Sequence, residues 1–380
     1  MKNRGHREAG FTLFELIVVM AIFTIVMMGA SEMFVAILSD YKQQSKITVT
    51  NIEGILGLEM MRRDIENTGY GLPWRWGGPM IYDELETAPD AWAAANAKFN
   101  DAPSNVPRAL VSGNGTGWHG TDRLVIKAVN VAMNSTVERW NFLYTSPVVT
   151  TNYWTPKEEN LGVNDRVIVI SQSAASRTLV PYGIGGFSNT FGNVDGFAEN
   201  LTAVSEKRSD PSIVYGIDPN TDLKMPFNRA DYYVQEPESA SDLPRHCASG
   251  TGLLYKAVIN HGGDGFLAPQ PILDCVADMQ VAYFYDDIGV LKKNEDISAY
   301  TADQVRAWVK EVRVYILAQE GQRDRNFDYP EQSPRVGEIG GVLGDVGRDF
   351  DFLAATPPVP DWKNYRWKLY TIVIRPSNLQ

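Results

Sequence analysis

Glu15 is the one acid in an otherwise uncharged run from Leu13 to Ala30, and its carboxylate is the first group here whose position demands chemistry. Placing an Asp or Glu deep in a membrane helix costs roughly 2.5–3.5 kcal/mol on insertion scales, so such a residue normally has a partner. The alternative is a carboxylate hydrated at the membrane interface. Elsewhere the side chains capable of catalysis are scattered. His6, His119, His246 and His261 make no metal-ligand spacing with Cys247 and Cys275. No nucleophile elbow, phosphate loop or dinucleotide fingerprint occurs. The Gly-rich Asn260–Gly265 and the acidic Arg323–Asp328 lack the oxygen ladder of an EF-hand loop and read as turns. No catalytic residue, metal site or cofactor is expected, and an anchored enzyme is improbable.

The element that must carry Glu15 is a long helix. Apolar residues run almost unbroken to Leu38, with Glu32 as a late exception, and about 20 residues suffice to span the hydrocarbon core. A secretory signal peptide is cut behind its apolar region, at a small-residue site. No such site follows here, and the suggestive Gly10 stands in front. Lys2, Arg4 and Arg7 against Glu8 place the N-terminus in the cytoplasm and the rest across the membrane. Beyond the span, Ile52, Leu56 and Met60 recur at four-residue spacing beside Ile55, Leu58, Met61 and Ile65, which predicts an amphipathic continuation. Asn67-Thr68-Gly69-Tyr70-Gly71 and Pro73 end it. A helix from Phe11 to Asn67 is on the order of 85 Å long.

The remainder is rich in Gly, Pro, Asn, Asp and aromatics. Strands are expected at 124–131, 137–144, 166–170, 253–259, 279–285, 309–318 and 367–374, mostly antiparallel. The class is α+β, one long N-terminal helix laid on an antiparallel sheet, with room for a second β-rich part. Trp74–Gly120 lacks periodicity and reads as an extended surface loop or insertion. The tryptophans, Trp74, Trp76, Trp92, Trp118, Trp140 and Trp154, suit core or subunit contacts better than a carbohydrate platform. The net charge of −11, without basic clusters, argues against nucleic acid. With two cysteines in an oxidising compartment, one disulfide Cys247–Cys275 is expected, worth roughly 3–4 kcal/mol by chain entropy; two buried thiols are the alternative.

Gly10-Phe11-Thr12-Leu13-Phe14-Glu15, between basic residues and the apolar run, resembles the prepilin leader. The resemblance implies cleavage between Gly10 and Phe11 by a prepilin peptidase, N-methylation of Phe11, and retention of the hydrophobic helix. It also supplies the partner of Glu15, the α-amino group of a neighbouring subunit's N-terminal residue. Major pilins often carry a Pro where this chain has Glu32-Met33. Three further segments, Met61–Gly71, Leu254–Lys256 with Pro271–Tyr283, and Val309–Leu317 with Tyr365–Lys368 and Thr371–Arg375, are similar in order to PilW-type minor pilins of type IV pili. These in turn are similar to J-type pseudopilins of type II secretion. The chain departs from that pattern at Lys256 (usually Arg), at Phe284 (commonly Gly) and at Pro376-Ser377, where Asn often follows the last Arg.

The implied organisation is a leader at 1–10, a transmembrane half-helix at 11–38, a periplasmic half-helix at 39–69 and a β-rich pilin-like domain at 70–380. The implied function is pilus assembly in a membrane priming or tip complex. Partners are then other minor and major pilins, the prepilin peptidase, the inner-membrane assembly platform and the lipid bilayer. A pseudopilin and a tip-displayed adhesin are the alternatives.

Overall fold

The computed structural model describes residues 12–85, 98–144, 149–173, 176–204, 211–237, 239, 242–263, 265–287, 289–341 and 343–379. Gly10, Phe11 and Trp92 lie outside the described residues, as does the side chain of Ile52. One helix runs 54 residues, Leu13–Glu66, about 81 Å at the standard rise. No proline interrupts it. Its start is a capping box: the Thr12 hydroxyl accepts the Glu15 N–H, and the Glu15 carboxylate accepts the Thr12 N–H. Its first part, Leu13–Val35, is long and apolar enough to cross a membrane and is not covered by any of the other described residues. Its end is set by Asn67, whose backbone N–H and side chain both return to the Arg63 carbonyl, and by Gly69 at φ 78°.

The helix reaches the sheet on a different face from the one the stripe predicts. Leu58, Met61 and Ile65 are buried as expected, but Ile55 is 62% and Leu56 73% exposed. The seated row is Gly54, Gly57, Leu58, Met61, Asp64, Ile65 and Thr68. Two glycines decide this. A Cβ on Gly57 would stand 1.8 Å from the Ile272 carbonyl oxygen, and one on Gly54 2.9 Å from Leu273 Cδ1. The helix backbone therefore lies directly against a strand, and close approach selects the face over side-chain bulk.

That strand, Gln270–Asp287, belongs to the main sheet. Among the described residues its order is Arg366–Ile374, Val309–Glu320, Gln270–Asp287, Gly252–Val258, Asn228–Gln235, Arg123–Ala128 and Leu110–Gly113, antiparallel throughout. Val290–Asn294 adds a hairpin to the long strand. A second sheet is ordered Arg75–Trp76, Ser176–Leu179, Arg166–Ser173, Ser212–Asp218, Trp140–Tyr144 and Thr150–Thr151, and only its first pair is parallel. Both sheets share one apolar cluster with the helix end: Ile168, Ile170 and Tyr215 join Leu124, Ile126, Ala230, Val281 and Ile316 around Met61 and Ile65. The fold is α+β, an N-terminal apolar helix followed by a mostly antiparallel β domain.

Each expected strand segment falls on an observed strand, with altered ends. The 124–131 run stops at Ala128 and turns through Val129–Val131. The 137–144 run begins inside a turn, Ser135–Glu138, capped by Asn134. The Trp74–Gly120 expectation is corrected. Leu110–Gly113 is a buried strand, and Met80, Tyr82, Leu85 and Phe99 are buried as well. The described stretches before that strand, 77–85 and 98–109, form no helix or strand of the sheet and lie over it, so their burial rests on contacts remote in sequence.

Helix propensity alone favours Ala over Gly by about 1 kcal/mol. Gly57→Ala should nonetheless destabilise, by about 1–3 kcal/mol for the overpacking, whereas Leu56→Ala should stay within roughly 0.5 kcal/mol. Denaturant unfolding of the full chain in detergent measures both; an unchanged or raised midpoint for Gly57→Ala contradicts the seating of the helix on Ile272.

Candidate functional site

Glu15 occupies the first turn of the helix and is spoken for locally. Its Oε2 accepts from the Thr12 backbone N–H and from the Thr12 hydroxyl, both at 2.9 Å. Thr-x-x-Glu is a capping-box spacing, a signal in the sequence that the intramembrane-acid argument did not use. The carboxylate stands on the helix N-terminal dipole, where negative charge is favoured, and still has Oε1 to offer. Gly10 and Phe11, the other processing residues, precede the described segment.

At the opposite end of the helix, three separated segments converge. Asp64 Oδ2 accepts from Lys256 Nζ at 2.5 Å and from the Tyr232 hydroxyl at 2.7 Å, and all three side chains are buried. Burial pushes the Asp64 carboxyl up, and Lys256 and Tyr232 offset this only in part. Ser377 closes the same corner by donating its N–H and its hydroxyl to the Glu66 carbonyl, each at 3.1 Å. The Gly69 N–H goes to the Lys127 carbonyl, and Tyr70 packs edge-on against Tyr215 at 5.5 Å. The end of the long helix (Met61–Gly71), Leu254–Lys256 and the C-terminal residues thus meet in space, with Lys256 and Ser377 making contacts in that corner.

Cys247 and Cys275 form a disulfide across 28 residues. Cys275 adopts φ 55°, the left-handed region, where the pairing between Gly252–Val258 and Gln270–Asp287 shifts register. His246, with no ligand-like spacing in the sequence, stands within 4.8 Å of both sulfurs. It is the one three-residue group of metal-capable side chains among the described residues, but bonded sulfurs are not thiolates, so it offers a single nitrogen. His119 and His261 are pushed down to about 4 by burial and are neutral at physiological pH. His261 ties the Gly-rich loop to the Lys224 N–H and to Asn228. In the acidic loop Asp324 is taken by Arg366. Trp140 packs on Phe142 at 87° and on Trp154 at 58°, so these rings brace one another instead of forming a flat platform.

A buried ionic network was not anticipated from the sequence. Arg229 pairs with Asp231 and Glu84, Arg123 with Asp231, Lys127 with Glu84 and Asp101, and Arg108 with Asp101. Arg229 and Asp231 alternate on one face of a strand, which is the one local hint, but their other ionic partners, Glu84 and Arg123, lie more than a hundred residues away. Burial alone would raise Asp231; Arg229 and Arg123 outweigh it and hold the carboxyl below its usual range.

Residues 5–31 match the family model described as the prokaryotic N-terminal methylation motif. No curated protein and no solved structure matches the chain.

Two outcomes follow from these geometries. Lys256→Met should cost about 3–5 kcal/mol at neutral pH, since it strands a buried carboxylate, and less in acid, where Asp64 takes up a proton; adding Asp64→Asn should recover part of the loss in a double-mutant cycle. Separately, Asp231 is depressed in the fold, so its contribution is present above its ordinary value of about 3.9 and is lost as pH falls through the folded value. Acid titration of stability should therefore fall more steeply for the natural chain than for Asp231→Asn; parallel curves contradict the assignment.

Proposed function

We infer that the chain has a type IV pilin or pseudopilin role in pilus or secretion assembly, a reading supported by the prepilin-type motif on residues 5–31, which leads into an apolar helix and then a β domain. It implies processing by prepilin peptidase, association with other pilins and a membrane anchor.

We propose that the chain is a PilW-type minor pilin that enters the inner membrane once, with its β domain in the periplasm, is cut between Gly10 and Phe11, is methylated on Phe11, and joins a priming or tip complex of the type IV pilus. The observation that carries this reading is the motif joined to the helix. The spatial meeting of Asp64, Lys256 and the C-terminal strand adds to it, because these are the segments on which the PilW resemblance rests. On this reading 11–38 is the membrane part of the helix, 39–69 its periplasmic part, and 70–380 the displayed domain. Ile55 and Leu56, exposed beyond the membrane span, give the helix an apolar edge for a neighbouring pilin helix.

Glu15 has two states on this account. Before assembly its carboxylate caps its own helix through Thr12. In the complex it pairs with the methylated amine of a neighbour's Phe11, so that two charges are neutralised in the apolar interior and the axial register is set. The exchange keeps the carboxylate bonded throughout, which is how an acid is carried in a membrane helix.

The test uses the full chain in cells that make pili. Mature protein should begin at N-methylated Phe11 by N-terminal sequencing and mass, and Gly10→Val should accumulate as precursor. Glu15→Ala should insert at normal levels yet lose most crosslinking to other pilins and most surface pili. A Met1 start in cells with active peptidase sinks the processing claim, and normal piliation of Glu15→Ala sinks the pairing claim. A deletion that spares pili but stops secretion of exported proteins would assign the chain to the pseudopilins instead.

A further inference from the structure

On the face of the main sheet away from the long helix, residues 77–85 and 98–109 form a lid held down by side chains whose arrangement resembles reactants more than a simple ion pair. Lys127 rises from the Arg123–Ala128 strand with its side chain fully buried, and Nζ is 2.6 Å from Asp101 Oδ2. Glu84, also fully buried, has both carboxylate oxygens on the same ammonium, at 2.8 and 2.9 Å. One carboxylate suffices to neutralise a lysine; here a second one sits on it as well.

We propose that Lys127 and Asp101 are the two halves of an intramolecular amide cross-link, formed after folding, with Glu84 as the proton carrier. A lysine amine is a nucleophile once it has given up its proton, and burial beside a base is how that is arranged. With Nζ at 2.6 Å from Oδ2, the carboxyl carbon one bond behind lies close to the roughly 3–3.5 Å of a near-attack pair. The remaining contacts hold the pieces still. Glu84 Oε1 accepts the backbone N–H of Asp101 at 2.6 Å and of Ala102 at 3.2 Å, which clamps the base to the loop bearing the electrophile. Arg229 Nη1 donates to Glu84 Oε2 at 3.1 Å. Arg108 donates Nε–H to Asp101 Oδ1 at 2.6 Å and its backbone N–H to Oδ2 at 2.8 Å, so the oxygen on which charge develops faces a guanidinium.

The step balances without a co-reactant. Glu84 takes one proton from the Lys127 ammonium, Nζ bonds to Cγ of Asp101, and charge gathers on Oδ1 against Arg108. Glu84 delivers that proton, and then a second one from the nitrogen, to Oδ2. The Cγ–Oδ2 bond breaks and water leaves. The amide keeps the third hydrogen, and Glu84 ends as the carboxylate it began as. One buried ammonium and one buried carboxylate are replaced by a neutral amide, which removes two charges whose desolvation opposes folding. The product is a covalent tie between the lid and the strand next to the edge of the sheet, independent of the Cys247–Cys275 disulfide.

Mass spectrometry of the full chain, extracted from membranes, reduced, alkylated and digested with trypsin, tests this directly. The expected product is the Phe99–Arg108 peptide joined to Leu124–Arg139, uncut after Lys127 and lighter than the sum of the two by one water. Recovery of all the material as separate peptides, cut at Lys127, overturns the proposal and leaves the cluster as ion pairs. Glu84→Gln should lose the joined species while keeping the natural chain's resistance to limited proteolysis, which shows that the domain still folds. A joined species at natural abundance in Glu84→Gln overturns the role given to Glu84, and Asp101→Ala should show no joined species.

Discussion

The contact on which the rest of the structure depends is the seating of the long helix on the Gln270–Asp287 strand. It has two parts of different character. Gly54 and Gly57 let the backbones touch, which fixes the distance. Asp64, in its bond to Lys256 and Tyr232, fixes the axial position, because a buried carboxylate has a partner at one place only. Met61 and Ile65 then enter the shared core of both sheets, and the helix leaves the domain in a defined direction. A helix that must extend from a membrane into a folded domain needs such a fixed exit, since any error in angle is multiplied along its length.

The charged lid is a second device, and its physics differs. Apolar cover over the outer face of the Arg123–Ala128 and Asn228–Gln235 strands is thin, with Phe99, Val111 and Val125 forming a small separate cluster. Registry of the lid falls instead to Glu84, Asp101 and the cations beneath them. Buried ion pairs contribute little net stability, but leaving one member unpaired is expensive, so the network penalises misplacement more than it rewards placement. The lid, without helix or strand in its described residues 77–85 and 98–109, is held in one position by that penalty.

The end of the long helix and the C-terminal residues are linked through the same corner. Ser377 caps the carbonyl at the helix end and Leu379 packs beside Gly69, while the neighbouring strand Arg366–Ile374 forms an edge of the main sheet. The helix terminus is therefore satisfied by the last residues of the chain rather than by its own cap alone. The helix end and the residues just after the last strand of the main sheet are thus joined by direct hydrogen bonds.

Local chemistry was legible in the sequence because it acts over short distances. The apolar span, the lone Glu15, the helix stop at Asn67–Gly71 and the strand runs from Leu253 to Ile374 each rest on a few adjacent residues, and the α+β class follows from their order. The Thr12–Glu15 capping box was equally present in the spacing. The seated face of the helix, the burial of Met80, Tyr82, Leu85, Phe99 and the 110–113 strand, and the pairing of Asp64 with Lys256 were decided only in three dimensions. For the helix face, two glycines without side chains outweighed the apolar stripe, and a periodicity count cannot see an approach that glycine permits. For the lid and its ions, each partner is remote in sequence, and the cost of burying a charge has meaning only once the fold has removed the water around it.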